Sequence, residues 1–246
     1  MKELFDELQR RLDSFDVIDL SHTIERGMPK YPTHPQIVID PVCTHEHDGY
    51  FNQCLVMGEH TGSHMDAPAH TVSSMPDSTI DTVSPTAVCG QAVVYDLGGL
   101  GLGAGELVTA ADIIALEAKM GDAAGAGEIA VFNFHWEKYW RCDGAWQYYA
   151  KNEPGFAKDA VELFRDRAVK AVAFDTMSAD MPVKDGVEYP STGHYTDWLP
   201  RGILIVEELK NLDLLPTRCF LVGIPLKIKH GSGSPIRPIA LVPRKA

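Results

Sequence analysis

Short apolar, β-branched runs alternate along this chain with segments of helical periodicity. The runs at 17–20, 92–97, 129–134, 171–174, 219–224 and 236–242 predict strands. Between them, 109–120 repeats apolar residues near every ~3.6 positions, with Thr109 as N-cap, Asp112 in the first turn and Gly121 as the stop. A second such segment covers 156–169. The stretch GILIVEEL at 202–209 fits a strand or a helix. Residues 1–14 carry Leu4, Phe5, Leu8 and Leu12 among alternating charges, which predicts an amphipathic N-terminal helix. Helices interleaved with strands, without a repeat or a linker-like change of composition, predict one mixed α/β domain over 1–246.

Composition narrows the function. The chain has 246 residues, 45% hydrophobic and 23% charged, enough to bury a large core. Its formal net charge of −12 disfavours nucleic acid and anionic membrane surfaces. No run approaches the roughly 18 apolar residues of a membrane span. The five cysteines are scattered and form no Cys-x-x-Cys pair, which excludes a zinc ribbon or a thioredoxin-type motif. Reduced thiols and an N-terminus without a signal peptide's apolar run predict a cytoplasmic protein. The stretch Gly98-Gly99-Leu100-Gly101-Leu102-Gly103 lacks Gly-x-Gly-x-x-Gly spacing and predicts a surface loop in preference to a phosphate cradle.

The chemistry concentrates in His60-Thr61-Gly62-Ser63-His64-Met65-Asp66-Ala67-Pro68-Ala69-His70. Its spacing, His-x3-His-x-Asp-x3-His, supplies imidazole nitrogens and a carboxylate, the usual protein ligands of zinc and suitable for manganese. His60, His64 and Asp66 share parity, so an extended chain projects all three to one face. Full extension would separate the α-carbons of His60 and His64 by about 13 Å, near the limit for one ion, so a bend at Gly62 is expected. Pro68 prevents a helix from continuing through the segment.

Residues 60–70 resemble the hallmark His-x-Gly-Thr-His-x-Asp-x-Pro-x-His of the metal-dependent cyclase-like hydrolases, which include bacterial kynurenine formamidase and isatin hydrolase; Ser63 replaces the usual Thr. Four further blocks resemble that family in order. They are Ile18-Asp19-Leu20-Ser21-His22 with Gly27-Met28-Pro29-Lys30-Tyr31-Pro32, Phe174-Asp175-Thr176-Met177-Ser178-Ala179-Asp180, His194 with the stretch ending at Glu207, and Pro225-Leu226-Lys227-Ile228 with the loop to Arg237. The resemblance implies a single mixed-sheet domain of the swivelling β/β/α-like type. It also implies one or two divalent ions, zinc or manganese, per subunit, and a homo-oligomer, dimer or tetramer.

Carried over position by position, the resemblance implies that His60, His64 and Asp66 hold one ion, and that Asp66, His194 and Glu207 hold a second. It gives His70 the proton shuttle and Tyr31 a place against the substrate, although Tyr31 also reads as a half-buried aromatic between prolines. Glu208, adjacent to Glu207, is expected to face elsewhere. Asp175, Ser178 and Asp180 are expected to brace a loop beside the site. His22, His34, His45, His47, His135 and His230 have no ligand spacing, with His45 and His47 as possible rim residues. The aromatic group Trp136, Tyr139, Trp140, Trp146, Tyr148 and Tyr149 reads as core or subunit contact in preference to a pocket wall. The implied activity is hydrolysis of an amide or cyclic-amide C–N bond in a small aryl substrate. Ring-ester hydrolysis or cyclisation, and a metal-binding protein without turnover, are the alternatives; the extra histidine, His70, argues against the last.

Overall fold

The computed structural model describes residues 1–244; the last two positions of the expected 1–246 domain lie outside the described residues. Nine strands build one mixed sheet: β1 (Phe15–Asp19), β2 (His64–Asp66), β3 (Val88–Asp96), β4 (Ile129–Asn133), β5 (Ala171–Phe174), β6 (Leu204–Glu207), β7 (Arg218–Gly223), β8 (Gly233–Pro235) and β9 (Ile239–Pro243). They lie in the order β1-β9-β7-β3-β4-β5-β6-β2-β8. The central pairs β3–β4, β4–β5 and β5–β6 are parallel, and antiparallel strands flank them on both sides.

Every residue of β4, β5 and β6 is buried, so these strands read as continuous apolar runs and not as an alternating pattern. Alternation instead sorts them between two cores. Ala130, Phe132, Val172, Phe174 and Ile205 face one, while Ile129, Val131, Ala171, Ala173, Leu204, Val206 and Met65 face the other. The first core packs under helices α2 (Ala110–Met120) and α3 (Lys158–Asp166). Thr109 and Asp112 form a reciprocal capping box on α2, and Gly121 ends it in a left-handed conformation.

One open assignment is settled, and both ends of the second helix differ from the expected ones. The 202–209 stretch is a strand, because a parallel partner on one side and β2 on the other satisfy its backbone. Helix α3 starts later than 156, since Gly155–Phe156 pairs instead with Leu107–Val108. At the other end it stops before Ala168, whose φ of 54° leaves the helical region. Helix α1 spans Lys2–Leu12 and buries none of its residues. The ribbon formed by Val38–Cys43 and Asn52–Val56 is also largely exposed.

Candidate metal centre

Register places the site. In the β2–β6 pair His64 lies opposite Glu207, Met65 opposite Val206 and Asp66 opposite Ile205. Met65 and Val206 belong to one core, so period-two alternation turns His64, Asp66 and Glu207 to the opposite face together. Gly62, with a φ of 61°, makes the bend ahead of β2 that a β-carbon would strain. The bend folds His60 back until its Nδ1 lies 2.6 Å from Asp66 Oδ1. The other ring nitrogen of His60 meets Ser232 Oγ at 2.8 Å, and that hydroxyl donates to Glu59. His64 Nδ1 donates to the Gly62 carbonyl at 2.6 Å, leaving Nε2 toward Asp66 and 3.2 Å from Glu207 Oε2.

His194 arrives from a distant turn. Residues Gly193–Asp197 form a widened helical turn closed by Trp198 N–H to the Gly193 carbonyl at 2.8 Å. Gly193 lies against the Trp198 ring, where a β-carbon would come within 2.3 Å of ring carbon. Asp180 fixes the imidazole: Nδ1 lies 2.6 Å from its Oδ1, so Nε2 points at Asp66 Oδ2, 3.1 Å away. Ser178 Oγ donates to Asp180, whereas Asp175 braces a different loop, accepting from the N–H groups of Phe134, Trp136 and Glu137.

Burial and mutual contact set the charges of this cluster. Burial opposes ionisation of Asp66, yet the imidazoles of His60, His194 and His64 hold its carboxyl well below the usual range. Burial and the Asp66 charge push Glu207 well above it. Burial disfavours a charged His194, but Asp180, Asp66 and Glu207 outweigh it and raise its pKa well above the ordinary value. Glu207 Oε1 lies 3.5 Å from His194 Nε2 but makes no hydrogen bond, and it is fully buried. A buried acid oxygen without a partner is costly, and a divalent ion among imidazoles and carboxylates would satisfy it. The residues fit such an ion. Ligand atoms of His60, His64 and Asp66 lie within 4.8 Å of one another, and so do those of Asp66, His70 and His194.

His70 stands close enough to count in either role. It follows Pro68 in a short turn, its ring stacks on His60 at 3.8 Å between centroids, and its Nε2 lies 4.0 Å from Asp66 Oδ2. Burial pushes its pKa down to about 4.

A cavity of about 400 Å³ opens over these groups. Tyr31 lines it and donates from its hydroxyl to Glu188 Oε1 at 2.8 Å; burial and that carboxylate raise the phenol to about 12. Among the described lining residues there is no lysine or arginine. None of the six residues of the aromatic group lines it either; Trp136 and Tyr149 are core, and Trp140 stacks on His22. His45 and His47 are also absent from that lining.

Two placements differ from expectation. Glu208 does not face elsewhere: it is buried and lines the same cavity as Glu207. Its φ of 56° breaks the strand alternation on which the expectation rested. His34, passed over for want of ligand spacing, lines the cavity, with Nδ1 3.3 Å from the His60 carbonyl oxygen. Its only sequence signal is its place beside Tyr31 in the proline-bounded segment.

The fold has counterparts among known proteins. The family model described as "Putative cyclase" matches residues 18–181. An isatin hydrolase from Roseibium aggregatum is 31% identical over 220 residues, covering 85% of this chain and 82% of that protein. The solved structure of isatin hydrolase A from Labrenzia aggregata, bound to benzyl benzoate, superposes with a TM-score of 0.84 at 26% identity and 99% coverage of both chains. An isatin hydrolase bound to the product analogue thioisatinate superposes with a TM-score of 0.81, also at 26% identity and 99% of both chains.

Proposed function

The chain belongs to the cyclase family, and from that premise we propose that it is a metal-dependent hydrolase of a cyclic aryl amide of the isatin type. One observation carries the reading: four imidazoles and two carboxylates cluster at a cavity that Tyr31 also lines, with a Glu207 oxygen left unpaired. His60, His64 and Asp66 would hold one zinc or manganese ion, and Asp66, His194 and Glu207 would hold a second. An ion held there would supply an acidified water and a Lewis acid for the amide carbonyl. Tyr31 and His34 flank the ring. His70, uncharged at neutral pH, takes the proton from the attacking water and passes it to the departing nitrogen. A C–O bond forms as the ring C–N bond breaks, and the products are a carboxylate and an aryl amine on one molecule.

The lining favours this substrate over an arylformamide that carries an amino-acid carboxylate, for which it offers no lysine or arginine partner. A ring ester would bind similarly but needs less help from His70, because its leaving oxygen departs more easily. The apolar residues exposed on α1 and on the 38–56 ribbon suit a homo-oligomer, dimer or tetramer. No helix among the described residues is long and apolar enough to cross a membrane, and the domain over 1–246 is taken as a cytoplasmic enzyme. The test is metal analysis of the purified protein with turnover of isatin, N-formylkynurenine and simple lactones. Measurements follow chelation and then restoration of zinc or manganese. Isatin opening that disappears on chelation and returns with metal is expected. Metal-independent turnover, or none on isatin with brisk turnover of another substrate, overturns the reading.

A further inference from the structure

Lys30 is an unusual lysine: only 7% of its surface is exposed, and no ion pair among the described residues includes it. Its ammonium donates instead to three main-chain carbonyls, those of Tyr31 at 3.3 Å, Pro32 at 3.0 Å and His34 at 2.7 Å. An ammonium has three N–H donors, so all three are used. The Trp146 ring lies 5.7 Å from Nζ, within reach of a cation–π contact. Burying an unpaired charge is costly, and such sites persist where dipoles close round the charge.

The need for the clamp is visible in the loop itself. Pro32 and Pro35 have no N–H, and the one main-chain hydrogen bond within 31–34 runs from His34 N–H to the Tyr31 carbonyl at 2.9 Å. The same loop carries Tyr31 and His34, which line the cavity. Tyr31 reaches Glu188 across the mouth, and His34 reaches the carbonyl of His60. The loop thus joins the metal segment to the opposite wall, with little backbone bonding of its own.

We propose that Lys30 is a positioning residue whose buried ammonium gathers the 31–34 carbonyls and so sets the wall against which the substrate packs. The inference rests on the reading of this cavity as the substrate site. Two measurements separate the two ideas. Peptide-level hydrogen exchange over 29–35 tests the clamp without any substrate, and steady-state kinetics on isatin test its consequence. In Lys30→Met, exchange is expected to quicken and KM to rise, each by about tenfold, with kcat within about threefold and metal content unchanged. Lys30→Arg, which restores charge and donors, is expected to bring both back to within about threefold of wild type. If Lys30→Met does not fold, Lys30→Gln replaces it, with the same direction and a smaller rise. Unchanged exchange and KM in the neutral variant overturn the proposal. Loss of kcat and metal at constant KM overturns it as well, since the residue would then support the metal segment. Should wild type fail to open isatin, the functional reading falls while the exchange comparison still decides the clamp.

Discussion

Asp175 and Glu153 are buried as deeply as Glu207 and Glu208, but the two pairs of acids are finished differently. Asp175 accepts from the N–H of Phe134 at 2.8 Å, Trp136 at 2.6 Å and Glu137 at 3.2 Å, tying the chain after β4 to the chain after β5. Glu153 accepts from Met177 N–H at 2.6 Å and braces the same turn from the other side. Glu207 and Glu208 each keep one oxygen with no partner. Burial therefore does not distinguish a structural acid from a functional one; the supply of donors does. Where backbone N–H groups are brought to the carboxylate, it is a strut. Where imidazoles converge on an open oxygen, as at Glu207, a cation would complete the arrangement.

The severest way to break that contrast is His64→Ala. His64 Nε2 is 3.5 Å from Asp66 Oδ1 and 3.2 Å from Glu207 Oε2, central to the cluster. We expect the variant to fold, to be isolated without metal, and to have turnover at background. A full complement of metal in the purified variant would remove His64 from the ligand set.

The next effect is smaller and tests the division of labour among the histidines. His70→Ala is expected to keep its metal and to lose about 10² to 10⁴-fold in kcat, the usual worth of general acid–base catalysis. The loss should be smaller on an activated ester, whose leaving group needs no proton. The rival has its own geometric support, since Asp66, His70 and His194 could hold an ion. Elemental analysis after dialysis decides: an ion missing from the variant makes His70 a ligand.

How far the sequence revealed these groups depends on how local their causes are. The bend at Gly62 and the shared face of His64 and Asp66 follow from a glycine and from strand parity, both visible in eleven residues. The cap at Thr109 and the stop at Gly121 are local too. Beyond that range legibility fails for definite reasons. Whether 202–209 is strand or helix was settled only by its neighbours β5 and β2. Glu208 enters the cavity through a positive φ that no residue-type pattern announces. Ser232 reaches His60 from 172 residues away, which spacing arguments cannot see.

Glu207→Gln and Glu208→Gln sharpen the comparison within one pair of adjacent acids. Glu207 touches both His64 and His194, so its amide should weaken metal retention and cost roughly a hundredfold in turnover. Glu208 donates its N–H to the Thr176 carbonyl and shares the cavity without a comparable ion-pair contact, so its amide should cost about tenfold or less, with metal retained. Metal stoichiometry and kcat, measured side by side, rank the two; a greater metal loss in Glu208→Gln would shift the ligand role one residue along the chain.

The smallest effect concerns stability of the metal-free protein, and it follows from its buried titratable groups. Burial pushes Glu208 up to about 8, and Glu207 is raised well above the ordinary range by burial and by Asp66. An acid with a raised folded pKa holds its proton longer when folded than when unfolded, so stability falls as pH rises toward the folded value. Burial disfavours charge on His194, but Asp180 and its neighbours raise it, so its contribution is also lost on the alkaline side. Asp180 works in the other window: held at about 2 against burial by His194, it loses its contribution only in acid. Below about pH 6.5 a further set pulls the opposite way, since burial holds His22 near 3 and His70 near 4, and unfolding lets both take up a proton. With Glu153, also raised well above its ordinary range by burial, adding to the same limb, the metal-free protein should therefore lose on the order of 2 kcal/mol, or roughly 5 °C in Tm, between pH 6.5 and pH 8 to 9. Bound metal replaces those protons, so zinc or manganese should flatten or invert the alkaline limb. In the metal-free state, Glu208→Gln should flatten it too, having no proton to lose. Thermal melts across pH 5 to 9, with and without metal, check all three curves. A metal-free Tm that stays level from pH 6.5 to 9 would show that the open oxygens of Glu207 and Glu208 impose no strain, and the contrast with Asp175 would lose its energetic basis.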